Sequence, residues 1–310
     1  MDQVTPNKTV SQPLFGLSDT QQMMFAFGDS RRPNIETAKI METIVLAQVT
    51  EIASRAVKVC HLRGYKTLQL ESIIFLMRKS PVKIQRLIKY LSAKEITRKA
   101  TQAVDGEVDE VKKRSLMHRC KEFIDSIDDT GALLAACNEE YFDESYLEKL
   151  LRNDKITKNM DEKRYEEYCK ARAVGFRGSY SVKFQSQLEE YLNSLELKTE
   201  KISQDVLSYL AYETLGQLVD LCLVLRRDSS RDHVARLIPT RTVNTDYPSI
   251  YLPAAASTSD SAKVELPGHP ITPAEIREVV RRLETSCYTS KPLCRGTRYR
   301  SSQTLPLLSI

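Results

Sequence analysis

The stretch that decides the fold is residues 23–33, which read MMFAFGDSRRP. A short apolar run ends at a Gly-Asp turn, where Gly28 can supply the left-handed residue that stops a helix. Two arginines follow, and then Pro33, whose fixed φ and missing N–H suit the first turn of a new helix. The stretch therefore predicts a short helix over Leu17–Asp29, a basic loop, and a longer helix that begins at Pro33.

The residues after Pro33 carry one continuous apolar stripe. Its members recur at steps of three or four residues, as one face of an α-helix requires: Ala38, Met41, Val45, Val49, Ile52, Ala56 and Val59. This spacing predicts a long helix over Pro33–Arg63 that ends before Gly64. Shorter helical patterns follow at Leu70–Arg78 and from Pro81.

A second short–long–short pattern begins after Gly178. A short helix is predicted around Phe184, Leu188 and Leu192, and a second long helix over Ser203–Arg227. The long helix has its own stripe at helical spacing: Leu207, Ala211, Leu215, Leu218, Cys222 and Leu225. The residues Thr272-Pro273-Ala274-Glu275 read as a capping box that opens a last short helix.

These patterns predict an all-α chain of two helical units. Residues 229–270 hold five prolines and many small polar residues, which favours a flexible insertion. We expect a disordered N-terminus in residues 1–16, a first unit in 17–99, a connector with one amphipathic helix in 100–178, a second unit in 179–285 that contains the insertion, and a tail in 286–310.

Composition narrows the functional class. The net charge of +5 is uneven, since residues 1–100 carry 16 basic against 8 acidic side chains and residues 101–170 carry 12 against 18. Such asymmetry is typical of a chain that meets charged partners, although a solvated helical surface has the same composition. No apolar run approaches the length of a membrane span. The seven scattered cysteines indicate reduced thiols in a cytosolic or nuclear protein.

The two long helices carry apolar residues on more than one side, so each needs more cover than its own short neighbours provide. We expect the two helices to pack against each other, antiparallel, within one chain, because a connector of this length closes the loop at little cost. The predicted pairing residues are Met41, Val45, Val49 and Ile52 in the first unit and Ala211, Leu215, Leu218 and Cys222 in the second. An ordinary helical bundle without this pairing would show the same periodicity.

The sequence motifs of both units resemble those of the Suppressor-of-Ty family subunit of the SAGA coactivator, which carries two histone folds in one chain. The first unit is similar to that family in residues 23–33 and 75–79, and the second in residues 209–214, 217–221 and 276–278. The resemblance implies an all-α chain whose two histone folds form an intramolecular pair, related to a pair of TFIID subunits. One departure is Gln69-Leu70, which stands where the family usually has a Ser-Pro helix start, so the third helix should be weakly capped.

The resemblance also implies a nuclear transcription coactivator subunit that contacts the TATA-binding protein and other SAGA-type subunits. No histidine, cysteine or acid occurs at metal-ligand or catalytic spacing, so we expect no enzyme activity, cofactor, metal or small-molecule substrate. Two alternatives stay open. The chain could be a histone-like DNA-binding protein that uses Arg31 and Arg32 on phosphates, or a TFIID-like subunit that needs a separate partner chain. The structural reading of these arginines is a pairing with Asp29 or with an acid of the second unit.

Three polar residues of the second long helix form a candidate partner site. At 100° per residue, Glu213, Gln217 and Asp220 lie on the side opposite Ala211 and its apolar neighbours. We call these three residues the acidic stripe. One reading is that the stripe faces water or pairs with an arginine of the same chain. The functional reading is that it meets a basic surface of the TATA-binding protein.

Overall fold

The computed structural model describes residues 17–105, 115–138, 142–158, 160–195, 197–230, 269–289 and 307–310. The first unit contains α1 (Asp19–Ala26), α2 (Ile35–Leu62), β1 (Thr67–Leu68), α3 (Leu70–Met77) and α4 (Pro81–Asp105). The connector contains α5 (Leu116–Ile127), α6 (Ala132–Cys137), α7 (Glu144–Lys158) and α8 (Glu162–Ala173). The second unit contains α9 (Val182–Ser194), β2 (Lys198–Thr199), α10 (Lys201–Ser230) and α11 (Pro273–Thr289). The chain is mostly helical, as predicted. The expected disordered N-terminus and most of the expected insertion and tail lie outside the described residues.

The first long helix begins two residues later than predicted. The Asn34 side chain accepts hydrogen bonds from the backbone N–H groups of Glu36 and Thr37, so Asn34 is the N-cap and Pro33 precedes the helix. An asparagine cap satisfies two of the N–H groups that a helix start leaves unpaired, which a proline cannot do. The turn before it is as predicted, because Gly28 has a φ of +110°.

The first unit extends further than its polar composition led us to predict. The fourth helix, α4, continues to Asp105, beyond the expected boundary at residue 99. No glycine or proline interrupts it before Gly106, and Lys99 pairs with Glu95 one turn away. The weak cap of α3 was predicted correctly, since Gln69 makes no side-chain hydrogen bond to the helix start.

The connector is more ordered than the single amphipathic helix that we predicted. That helix is present as α5, with Cys120 and Ile124 buried, but α6, α7 and α8 follow it. Helix α8 packs on α1, where the rings of Tyr168 and Phe25 make an edge-to-face contact with 5.6 Å between their centroids. Charged residues dominate α7 and α8, so periodicity gave little sign of these contacts.

The two long helices pack against each other and share one core. All eight predicted pairing residues are buried, none more than 1% exposed. They belong to one apolar cluster with side chains from α3, α4, α9 and α11. The short helices complete the layers: α9 and α1 lie on α2, and α11 lies on both α2 and α10. In α11 the buried residues are Ile276 and Val279, whereas Val280 is only half-buried, although the sequence spacing of Ile276, Val280 and Leu283 predicts that these three form the buried face.

Two loop junctions join the ends of the long helices. At one end β1 pairs in parallel with β2, so the loop after α2 meets the loop before α10. At the other, the backbone N–H of Ile271 donates to Asp29 Oδ1 at 3.0 Å, and Thr37 Oγ1 donates to the carbonyl of Ile271 at 2.9 Å. Each unit thus contributes the loop before its long helix to one junction and the loop after it to the other. We predicted no strands, because two-residue strands are too short to leave an alternating pattern.

Candidate partner-binding surface

The acidic stripe lies on the side of α10 that turns away from α2. Ala211 and Leu215 are fully buried in the core, while Glu213 and Gln217 are partly exposed on the other side. The predicted face is therefore the observed one. Asp220 differs from the other two residues of the stripe because only 7% of its surface is exposed.

Asp220 is buried by helix α7 of the connector. Its two carboxylate oxygens each face a cation of that helix, Lys149 Nζ and Arg152 Nη2, at 2.8 Å. Lys149 and Arg152 are three residues apart and so project from the same side of α7. In the free chain the carboxylate of Asp220 therefore points into the connector. Of the two readings of the stripe, this geometry matches the pairing with a basic residue of the same chain.

A second ionic contact holds the start of α7. The guanidinium of Arg86, on α4, binds the carboxylate of Asp143 with contacts of 2.5 and 2.7 Å and lies 3.6 Å from Glu213. Burial raises the pKa of Asp143, but the hydrogen bonds and charge of Arg86 outweigh it and hold that pKa below its ordinary value. Asp143 also accepts the N–H of Tyr146, so the same carboxylate caps α7.

Between these ionic contacts α7 does not pack closely on the body. A cavity of about 270 Å³ lies beneath it, lined among others by Phe27, Tyr146, Leu150 and Tyr212. Ile156 is the one buried residue of α7. Four of its large apolar side chains are between 41% and 53% exposed: Tyr146, Leu147, Leu150 and Leu151. The surface of α10 around Glu213 and Asp220 is thus covered by a helix that is fastened mainly by charges.

The two arginines of the first loop have different surroundings. Arg31 forms a two-bonded ion pair with Glu167 of α8, at 2.9 and 2.8 Å, and Glu167 is 6% exposed. The acid of this ion pair therefore comes from the connector, whereas we predicted Asp29 or an acid of the second unit. Asp29 instead turns inward to the loop junction. Arg32 is exposed on the outer surface of the loop.

Arg119 of α5 is a structural residue that sequence reasoning missed. Its guanidinium donates to both oxygens of Glu71 in α3 and to both oxygens of Glu200 beside β2. It therefore links the connector to both units at the junction of β1 and β2. Lys149 and Arg152 were missed in the same way, because each acts on an acid more than 45 residues away and leaves no local pattern.

The described part of the chain shows no group of three His, Cys, Asp or Glu side chains that could hold a metal ion. None of its helices is long and apolar enough to cross a membrane. Cys222, predicted as a core residue, is 1% exposed, and burial raises the pKa of its thiol to about 12. A thiol in such surroundings packs as a small apolar group.

Comparison with known proteins gives two kinds of relative. Residues 16–106 match the family model of the 18-kilodalton subunit of transcription initiation factor IID. Over most of its length the chain is similar to the SAGA complex subunit Spt3 of Drosophila melanogaster, 26% identical over 87% of this chain and 67% of the relative. It is 25% identical to the SAGA subunit SPT3 of Saccharomyces cerevisiae over 86% of this chain and 90% of the relative. TFIID subunit 13 of Dictyostelium discoideum is 36% identical over 28% of this chain and 80% of its own length.

Proposed function

This chain belongs to the Spt3 family, with TFIID subunit 13 among its relatives, and on that premise we propose that it is a non-enzymatic, nuclear histone-fold adaptor of a SAGA-type coactivator. Residues 17–99 and 179–285 would be its two histone folds, joined by the connector 100–178. Its mechanism would be binding: the paired folds form a rigid platform that holds and positions the TATA-binding protein for transcription initiation, together with other coactivator subunits.

The reciprocal packing of the two units is the observation that carries the proposal. A long helix with apolar residues on two sides needs a second long helix to cover the side that its own short helices leave open. Helices α2 and α10 cover each other in this way. The two loop junctions support the pairing of the units. Each junction joins the loop before one long helix to the loop after the other. This arrangement supports an intramolecular histone-fold pair over an unrelated helical bundle.

The acidic stripe supports the choice of a basic protein partner. Glu213 keeps 25% of its side chain exposed, and the connector cations that reach the stripe mark it as a surface where positive charge binds. Charges at the rim of an interface mainly accelerate association and set its salt dependence. We therefore expect binding to the TATA-binding protein to weaken gradually as salt screens this contact.

The test is binding of the purified full chain to immobilised TATA-binding protein at two salt concentrations. The altered variant is Glu213→Lys, and the matched control is Glu189→Lys, an exposed acid on α9. We exclude Asp220→Lys, because a third cation beside Lys149 and Arg152 would repel α7 as well as change the charge of the stripe. Slower association of Glu213→Lys alone, with an unchanged melting curve, is the expected result. Equal binding by the wild type and both variants would remove the stripe from the site.

Two outcomes would favour the alternatives. Tight binding to duplex DNA, with an affinity that falls steeply with salt, would favour a histone-like DNA-binding role in which the exposed Arg32 takes part. Aggregation of the isolated chain, relieved by a second protein, would favour a TFIID-like subunit that needs a separate partner. A soluble monomer in light scattering that binds the TATA-binding protein but not DNA is what we expect.

A further inference from the structure

We propose that the surface of α10 around Glu213 and Asp220 is a receptor for a basic helix, that α7 occupies this receptor in the free chain, and that a basic protein partner binds by taking the place of α7. The identity of that partner as the TATA-binding protein rests on the function proposed above. The receptor itself rests on the contacts of α7.

The charges of α7 show what the receptor requires. Asp220 is 7% exposed, and a carboxylate buried to that extent is costly unless cations and hydrogen bonds compensate it. Lys149 and Arg152 supply that compensation from one helix face at a spacing of three residues. A partner that displaces α7 must present equivalent cations, so the receptor selects a basic surface and rejects an acidic or apolar one.

The packing of α7 shows why it can leave. Most of its apolar side chains are about half-exposed, and the cavity of about 270 Å³ separates it from the body. Lys149 and Arg152 are themselves 23% and 25% exposed, so water and added salt weaken their ion pairs with Asp220. A helix with few buried contacts opens locally without unfolding the rest of the protein. By contrast, α10 is held by the core of both units.

A self-covered receptor lowers its own affinity for the partner. If only a fraction of molecules have α7 released, the apparent affinity falls by that fraction. Weakening α7 should therefore strengthen partner binding. If α7 were instead part of the surface that the partner contacts, weakening α7 should weaken partner binding.

The first test uses the double variant Lys149→Ser/Arg152→Ser in the full chain. Binding to the TATA-binding protein should tighten by about five- to tenfold relative to wild type, the size expected from losing two partly exposed ion pairs. The matched control is Lys158→Ser/Lys163→Ser, which removes two exposed cations from α7 and α8 without touching Asp220. The control should bind no more than about twofold tighter, through net charge alone. Equal or weaker binding by Lys149→Ser/Arg152→Ser, in a variant whose melting curve shows a folded protein, would overturn the proposal.

The second readout is hydrogen exchange of the wild-type chain with and without the TATA-binding protein. On binding, amides of α7 should lose protection, while those around residues 209–223 of α10 should gain it. Increased protection in both helices would mean that the partner sits over α7, and the displacement would then be wrong.

A third arm is independent of the TATA-binding protein. A synthetic peptide of residues 142–158 should bind Lys149→Ser/Arg152→Ser more tightly than wild type, because it supplies the missing cations in trans. A peptide that carries the same two serines should not bind either protein. If the first peptide binds while the TATA-binding protein binds neither chain, the receptor stands and the proposed function fails. If the TATA-binding protein binds but the peptide does not, the receptor fails and the proposed function stands.

Discussion

Arg119 offers the sharpest test of how the connector holds the two units together. Its guanidinium contacts Glu71 at 2.5 and 3.1 Å and Glu200 with two bonds of 2.8 Å. Arg119→Met keeps the approximate length of the aliphatic stem and removes the charge and the bonds. The change would leave two carboxylates, one from each unit, facing each other without a cation.

The structure sets the size of the effect. Hydrogen bonds to charged groups contribute about 1.5–3 kcal/mol each to stability when they are well buried. Because Arg119 is 35% exposed, we expect solvent to reduce the contribution of its contact with each of the two acids to about 1 kcal/mol. Repulsion between the two remaining carboxylates adds a fraction of a kcal/mol. We expect Arg119→Met to lower the free energy of unfolding by about 2–3 kcal/mol, or the melting temperature by roughly 5 °C or more.

Urea unfolding followed by far-UV circular dichroism measures this loss, with tyrosine fluorescence as a second probe because the chain has no tryptophan. The control is Arg119→Met with Glu71→Gln and Glu200→Gln, which removes the stranded charges along with the cation. It should recover the part of the loss that comes from repulsion between the two carboxylates, a fraction of a kcal/mol. Failure of the triple variant to recover any would mean that the stranded carboxylates are not the cause of the lost stability.

The pH dependence gives an independent check of the same contact. The hydrogen bonds of Arg119 are the largest influence on Glu200 and hold its pKa below the ordinary 4.5. A carboxylate whose folded-state pKa is depressed contributes stability above the unfolded-state pKa, and that stability is lost as the pH falls through the folded-state value. The difference in unfolding free energy between wild type and Arg119→Met should therefore shrink below about pH 4.5. A difference that stays constant from pH 7 to pH 4 would refute this reasoning.

Two further predictions concern the core and the second loop junction. Val49→Asp should prevent folding, because Val49 is fully buried in the core that α2 shares with α10 and an unpaired buried charge costs several kcal/mol. Val49→Ala should remain folded in the same circular dichroism assay. Asp29 is fully buried and its Oδ2 has no hydrogen-bond partner, and burial raises its pKa from 3.8 to about 6. The folded state then binds more protons than the unfolded state between these values, so its stability declines as the pH rises through that window. Asp29→Asn cannot ionise and should gain about 2 kcal/mol relative to wild type between pH 4 and pH 7, measured as melting temperatures; a gap independent of pH would contradict it.

The helices of the two units could be predicted because their signals are local. The stripe from Met41 to Ile52 and the stripe from Ala211 to Cys222 are periodic along the chain, and both are buried as expected. The capping box of Thr272 and Glu275 is also formed, with the Thr272 N–H donating to Glu275 at 2.7 Å. In each case the residues that cause the structure lie within about three helical turns of each other.

The connector could not be predicted in the same way, because its stability depends on distant residues. Helices α7 and α8 expose most of their surface, so their sequences lack a clear apolar period. What holds them is a small number of contacts such as Tyr168 on Phe25 and Arg31 on Glu167, which join residues more than 130 positions apart. Charge-rich segments of this kind look solvated until their partners are known.

The acidic stripe shows where helical geometry stops being informative. The angle of 100° per residue correctly places Asp220 opposite the buried Ala211, but it cannot distinguish water, a foreign protein and a helix of the same chain as the group that meets the carboxylate. That choice depends on Lys149 and Arg152, two cations inside a segment whose net charge is negative. The net charge of the connector therefore gives no sign of the two cations that matter most for the stripe. Since α7 is held mainly by Lys149 and Arg152, the residues that neutralise the stripe also decide how readily α7 releases it to a partner.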